Sequence, residues 1–172
     1  MPTSRPNHLS WLCEQILFLK PKSILDVGVG FGSKGMLFRE YTDIWNGNYF
    51  DFKTKIDGIE IFNKYILDLQ RKIYSSIFIG DAFEIIDKLF VYDIIYCGDV
   101  IEHFSKDDGL KLLEKLKLHC RNLIIATPLK CHPQGSVFEN EAETHKSQWY
   151  EGDFVGAKIL TFNNILIVQY AL

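Results

Sequence analysis

The chain alternates between two hydrophobic rhythms. Short runs in which most positions are apolar (Ser23–Val27, Ile77–Ile79, Tyr92–Cys97 and Asn122–Ala126) are bounded by glycine, proline or polar residues. Runs of that length predict strands, and continuous apolar character such as that of Tyr92–Cys97 fits a parallel strand buried on both faces. Lys55–Glu60, KIDGIE, predicts a further strand that ends in an acid. Between these runs apolar residues recur every three or four positions, the helical period. Leu9, Leu12, Cys13, Ile16 and Leu17 mark a helix over Asn7–Leu19, with Asn7 as its N-cap. Ser33–Tyr41 predicts a second helix. Tyr65, Ile66, Leu69 and Ile73 mark a third over Asn63–Tyr74, and Phe83–Leu89 a short fourth. Ser105–His119 is the clearest helix: Ser105 can cap it, Asp107 and Asp108 suit the positive end of its dipole, and Leu110, Leu113 and Leu116 form its core stripe. Ser147–Val155 predicts one more short helix. The chain closes on two strands, Ala157–Phe162 and Ile165–Ala171, with Asn163-Asn164 as a hairpin turn.

Strands alternating with helices predict an α/β fold: one doubly wound, mostly parallel seven-stranded sheet with an antiparallel C-terminal hairpin strand. The 172 residues suit a single domain over 1–172. Two stretches break the rhythm. Residues 42–54 set Trp45, Tyr49, Phe50 and Phe52 around an Asn46-Gly47-Asn48 turn signal. The favoured reading is an aromatic loop folded back on the core. A lid over a substrate, or a self-association surface that would make a homodimer, are the alternatives. Residues 128–145 form a long irregular connection, including Cys131, His132 and Gln134, expected to shape a ligand site.

Composition narrows the function classes. Hydrophobic residues make up 47% and charged residues 24%, as in an ordinary globular chain, and the formal net charge is −3. That balance disfavours a generic nucleic-acid surface. Cys13, Cys97, Cys120 and Cys131 show no CxxC spacing or disulfide framework, so reduced thiols are expected. No apolar run approaches the roughly 20 residues of a membrane span, and the N-terminus lacks a signal-peptide pattern. A cytoplasmic protein without membrane attachment is the expectation.

The candidate chemistry centres on Ser23–Gly35, SILDVGVGFGSKG. A strand runs into Gly28, Gly30 and Gly32 and then into a helix. Such a turn lets a ligand approach main-chain N–H groups. Gly30, Gly32 and Gly35 formally match GxGxxG, a weak dinucleotide signal. Against it, Asp26 would repel a pyrophosphate. Ligands of open α/β sheets bind beyond the carboxyl ends of the strands, and there the sequence places Asp26, Glu60, Asp81 and Asp99. The ligand should therefore be cationic or zwitterionic near Asp26, carry a diol for Glu60 and an amino group for Asp81. S-adenosyl-L-methionine has those parts and no phosphate.

In order, ILDVGVGFG, IDGIE, GDA and CGDVIEH resemble the successive motifs of class I S-adenosylmethionine-dependent methyltransferases over nearly the whole chain. The resemblance implies that Asp26, Gly28 and Gly30 hold the methionine moiety and that Glu60 holds the ribose, with Gly32 and Ile61 also among the cofactor-binding residues. It implies that Asp81 and Ala82 flank the adenine and that Asp99, Val100 and Ile101 lie beside the cofactor, near its methyl end. One departure is the 34-position spacing from Asp26 to Glu60, lengthened by the aromatic insert.

Methyl transfer from a sulfonium needs position and a dry site more than a catalytic residue. Glu102, His103 and His145 are the candidate acid–base groups, although Glu102-His103 reads first as a helix-start pair. For His145 and Trp149 a loop packed over the sheet edge is an equal reading. The expected acceptor is a small molecule. DVIEH with the later H-x-x-x-W also resembles Hen1-type small-RNA 3′-terminal 2′-O-methyltransferases, which implies divalent-metal ligation by Asp99, Glu102, His103 and His145. That family has glutamate where this chain has Asp99, and a longer, more basic chain. A non-catalytic subunit that binds S-adenosyl-L-methionine is the non-enzyme alternative.

Overall fold

The computed structural model describes residues 5–130 and 133–172, so Cys131 and His132 lie outside the described residues. In chain order the elements are α1 (Leu9–Leu19), β1 (Ser23–Val27), α2 (Ser33–Thr42), β2 (Lys55–Glu60), α3 (Asp68–Ile73), β3 (Ser76–Ile79), α4 (Ala82–Ile85), β4 (Tyr92–Gly98), α5 (Lys106–Leu118), β5 (Cys120–Pro128), β6 (Lys158–Phe162) and β7 (Ile165–Ala171). The seven strands form one sheet in the order β3-β2-β1-β4-β5-β7-β6. The first five are parallel, and β7 runs antiparallel between β5 and the edge strand β6. The sequence-predicted architecture is the observed one. Each central strand presents alternate residues to two cores. Leu25, Val27, Ile95, Cys97 and Leu123 meet Leu112, Leu113 and Leu116 of α5 on one face. Ile24, Ile56, Ile94, Tyr96 and Ile124 meet Leu12 and Ile16 of α1 and Phe38 of α2 on the other.

Several local expectations are corrected. Asn7 is not the N-cap of α1; it lies inside a 3-10 turn, Pro6–His8, and the capping residue is His8. The helix expected over Asn63–Tyr74 splits into a 3-10 turn, Asn63–Tyr65, and α3, with Ile66 extended between them. Leu69 is exposed, and the buried residue beside it is Gln70. Gln70 accepts the N–H of Leu67 and donates to the carbonyls of Tyr65 and Gly30, so polar bonds rather than an apolar stripe set this segment. In α5 the buried stripe is Gly109, Leu112, Leu113 and Leu116, and Leu110 points outward. The cap expected of Ser105 is present: its Oγ accepts the N–H of Asp108. Ser147–Val155 holds only a 3-10 turn, Glu151–Asp153.

The aromatic insert is anchored at its base and open at its tip. Arg39, buried, pairs with Asp43 at 2.6 Å and donates to the carbonyls of Thr54 and Ile73, while Asp43 accepts the N–H groups of Lys53 and Thr54. Phe52 stacks on the Arg39 guanidinium. Trp45 and Tyr49 remain more than half exposed and Phe50 is 94% exposed, so the insert does not fold back on the core. It also leads into the amino end of β2, the end of the sheet away from the site described next, which removes the lid reading. Cys13, Cys97 and Cys120 are free thiols. Among the described residues no helix is long and apolar enough to cross a membrane.

Candidate functional site

A cleft of about 350 Å³ opens beyond the carboxyl ends of the parallel strands, within the usual range for small-molecule sites. Its floor is the glycine turn. Gly28 has φ +84°, and a Cβ there would sit 2.5 Å from Val100 Cγ2, so only glycine lets β1 leave the sheet this close to the β4 loop. The turn is held from β2. Gly28 N–H donates to the carbonyl of Ile59, and Gly30 N–H donates to Glu60 Oε2 at 2.8 Å. Glu60 Oε1 accepts the N–H of Phe62, also at 2.8 Å. One carboxylate thus fixes both the glycine turn and the loop after β2. Burial pushes Glu60 above the usual carboxylate range, partly offset by those N–H bonds.

Of the sequence-predicted residues, Gly28, Gly30, Glu60, Ile61, Asp81, Ala82, Asp99, Val100 and His103 line the cleft. Asp81 also caps α4, its Oδ1 accepting the N–H of Phe83. Asp99 takes a left-handed φ of +52° at the end of β4. Gly32 lies behind the lining as the N-cap of α2. Asp26 lies beneath it, 1% exposed. Its position is built by steric omission. Gly35 and Gly58 both lack a Cβ that would crowd Tyr74, and Tyr74 Oη reaches through to donate to Asp26 Oδ2 at 2.5 Å. Asp26 Oδ1 is buried without a hydrogen-bond partner. Burial above all pushes this carboxyl up to about 7.

Glu102 is buried under the cleft wall and accepts the Thr127 hydroxyl at 3.1 Å. Burial, and then the charge of Asp99, hold its carboxyl well above the usual range. Its main-chain carbonyl accepts the N–H groups of Lys146 and Ser147. His103 Nδ1 lies 3.2 Å from the carbonyl of Thr144, and its ring centroid is 5.0 Å from that of His145. Ligand atoms of Glu102, His103 and His145 come within 4.8 Å of one another. The geometry therefore gathers three of the four residues of the metal reading and leaves Asp99 outside that cluster. Burial and the neighbouring His145 lower the His103 pKa, against the Thr144 contact. Trp149 is wholly buried against Phe154 and Gly109, a packing residue.

The connection over 128–145 shapes the site as the sequence predicts, but sequence reasoning did not name the residues of it that line the cleft. The connection after β5 crosses the mouth, and Asn140, Ala142, Glu143 and Lys146 join the lining. Tyr65 Oη donates to Glu143 Oε1 at 3.2 Å, which ties this strap to the opposite wall. Contacts over 78 positions leave no local signal. Lys34 was also missed. It lines the cleft from the first turn of α2 and is only 8% exposed. A signal did exist: a lysine in a helix's first turn opposes the dipole, which implies an anionic partner.

Neither a protein-family model nor a curated relative matches this sequence. Solved structures do resemble the fold. The methyltransferase domain of bacterial CtHen1 superposes with a TM-score of 0.64 at 17% identity, covering 97% of this chain and 98% of that one. Magnesium protoporphyrin IX methyltransferase from Synechocystis PCC 6803, with bound SAH, gives 0.63 at 14% identity over 94% of this chain and 80% of its own. A Nostoc punctiforme PCC 73102 protein named as an O-methyltransferase gives 0.62 at 16% identity over 96% of this chain, which spans 56% of that protein. The chain has the class I methyltransferase fold.

Proposed function

We propose that this chain is an S-adenosyl-L-methionine-dependent methyltransferase acting on a small-molecule acceptor. The observation that carries the reading is the convergence of Gly28, Gly30, Glu60, Asp81 and Asp99 on one cleft at the carboxyl ends of the strands, in a fold whose solved examples include one with bound SAH. The donor set fits this cofactor. Glu60 keeps a free lone pair on each oxygen after accepting Gly30 and Phe62, which suits a ribose diol. Acids dominate the lining where a dinucleotide would bring a pyrophosphate.

When bound, the cofactor supplies an electrophilic methyl group. The chain's own residues supply position and proton handling. The glycine turn allows main-chain contact, and the strap of Asn140, Ala142 and Glu143 narrows the mouth and limits water. His103 faces the cleft with Nδ1 beside the Thr144 carbonyl. With that nitrogen as N–H donor, Nε2 is the basic atom that takes the proton of a hydroxyl acceptor. Its lowered pKa keeps it neutral at pH 7. Exposed Glu139 and Glu141 on the strap, with a net charge of −3, disfavour a polyanionic acceptor.

The clustering of Glu102, His103 and His145 favours a second reading, divalent-metal-assisted methylation of an RNA 3′ end. The Thr144 contact on His103 Nδ1 would orient Nε2 toward a metal, as outer partners of ligating histidines do. The near full-length likeness to the CtHen1 domain supports it as well. An acceptor screen with methyl-labelled S-adenosyl-L-methionine, run with and without EDTA, separates the two. Transfer to a small molecule at a rate indifferent to EDTA is expected. Transfer to short RNA abolished by EDTA would establish the second reading in its place. Binding without transfer to any acceptor would point to the non-catalytic alternative.

A further inference from the structure

The end of the sheet opposite the cleft is apolar and basic at once. Where the strands begin, Phe18, Trp45, Tyr49, Phe50, Val91 and Leu118 are each more than half exposed. They precede β1, β2, β4 and β5, which lie side by side in the order β2-β1-β4-β5. These strands are parallel, so their starts share one end and form a row about 14 Å long. Exposed lysines stand in the same row: Lys20 and Lys22 precede β1, Lys55 begins β2 and Lys88 precedes β4. Lys55 Nζ lies 4.2 Å from the Phe90 ring centroid, so this side chain reaches across the start of β1 and joins the two halves of the row. Exposed hydrophobics scattered singly are ordinary, but a row of them among lysines marks a contact surface.

Lys20 and Lys22 also line an open groove with Asp93 and Arg121 at the starts of β1, β4 and β5. Asp93 is already engaged: it accepts the N–H groups of Lys22 and Ser23 at 2.8 and 3.1 Å and lies 3.4 Å from Arg121. Asp51 and Asp87, at the same end, pair with Lys53 and Lys115. Among the described residues Lys20, Lys22 and Lys88 make no ion pair. This end therefore presents uncommitted positive charge in a chain whose net charge is −3. We propose that the face docks peripherally on an anionic lipid surface, with the tip of the aromatic insert in the headgroup region and a lipid phosphate between Lys20 and Lys22. Trp, Tyr and Phe suit the boundary between headgroups and acyl chains, and lysines suit the negative surface above it. A second copy fits less well, since it would set the lysines of one face against those of the other. Nucleic acid fits less well too, because Val91 and Leu118 offer bases no ring to stack on. The expectation of no membrane attachment rests on the lack of a spanning run, which a peripheral contact does not need. Docked this way, the cleft at the opposite end faces away from the bilayer and stays open to a soluble acceptor.

The test is sedimentation with vesicles of phosphatidylcholine alone and of phosphatidylcholine mixed with phosphatidylglycerol. It uses wild type, Phe50→Ser and the double variant Lys20→Gln with Lys22→Gln, each checked for an intact melting transition. A lysine near an anionic surface contributes about fivefold in binding. Lys20, Lys22 and Lys88 together predict a preference of wild type for the anionic vesicles of about a hundredfold, lost in about 1 M salt. The double lysine variant should bind anionic vesicles about twentyfold to thirtyfold more weakly. Phe50→Ser should weaken binding by about tenfold or more, the lower end of the transfer of a large apolar side chain out of water. Wild type that sediments with neither vesicle, or equally with both, overturns the proposal, and so do variants that sediment as wild type does. Release from anionic vesicles by inorganic phosphate at constant ionic strength would make the groove a site for soluble phosphate and overturn the lipid assignment. A dimer seen by light scattering and lost in Phe50→Ser, with no vesicle binding, would assign the face to a second copy. Retention of short RNA that the lysine changes abolish, again with no vesicle binding, would assign it to nucleic acid. Either result overturns the proposal, and none of these outcomes bears on whether the cleft binds S-adenosylhomocysteine.

Discussion

Asp26 shows how one residue can be legible in type and not in environment. An acid just before a glycine turn is visible in the sequence, and it points to a ligand with positive charge. The structure puts that acid beneath the cleft, donated to by Tyr74 and with Oδ1 unpartnered. Nothing local to Asp26 announces Tyr74, 48 positions away, or the Gly35 and Gly58 that make room for it. Burial raises the Asp26 pKa from the ordinary 3.8 to about 7. Between those values the native chain holds a proton that the unfolded chain has released. The contribution of this group to stability is therefore complete below about pH 4 and is lost as pH rises through about 7. For one proton the slope approaches about 1.4 kcal/mol per pH unit. Denaturant unfolding of wild type and Asp26→Asn should show this as a difference in stability that declines from pH 4 to 7 and levels off above it. A difference that stays flat across that range would mean Asp26 ionises normally.

At the scale of elements the strands were the most legible, because continuous apolar runs bounded by turns need no long-range partner to be recognised. Most helices were legible in place and less so in facing, the exceptions being the segments over 63–74 and 147–155. The spacing Leu110, Leu113, Leu116 and the spacing Gly109, Leu112, Leu113, Leu116 are both helical, and hydropathy prefers a leucine to a glycine. Packing decides otherwise. Trp149 comes from the far end of the strap to lie on α5, and a Cβ at Gly109 would be 2.4 Å from its Cζ2. Judged as a helix alone, Gly109→Ala should stabilise by about 1 kcal/mol. Against Trp149 it should instead destabilise by about 1–3 kcal/mol, the usual range for overpacking a filled core. In a Trp149→Phe background the ring no longer reaches that position, and the same substitution should become neutral or stabilising. A double-mutant cycle by urea unfolding reads the coupling directly. Additivity of the two changes would show that Gly109 is not the seat of the indole.

For the molecule as a whole, the cleft is assembled from parts that meet only in the folded state: the ends of β1, β2 and β4, the start of α5 and the strap tied across by Tyr65 and Glu143. The doubly wound, mostly parallel sheet could be anticipated from the alternation of elements, though not its strand order, and the glycine turn and the acids after β2, β3 and β4 from their neighbours in sequence. The strap could be anticipated only as a segment and not by its lining residues, since its contribution lies in where a long irregular segment lands. A ligand that fits this cleft has nothing equivalent to bind in the unfolded chain, so its binding energy appears as stability. At a hundred times its dissociation constant the gain is about 2.7 kcal/mol. A domain of this size moves by about 2–4 °C per kcal/mol, so S-adenosylhomocysteine at that concentration should raise the melting temperature by roughly 5–11 °C. The shift should grow with the logarithm of concentration, and NAD at equal concentration should give none. Phe50→Ser should leave the shift intact, because that side chain is 94% exposed in the insert at the opposite end of the sheet. A shift with NAD and none with S-adenosylhomocysteine would return the glycine turn to the dinucleotide reading that its spacing alone permits.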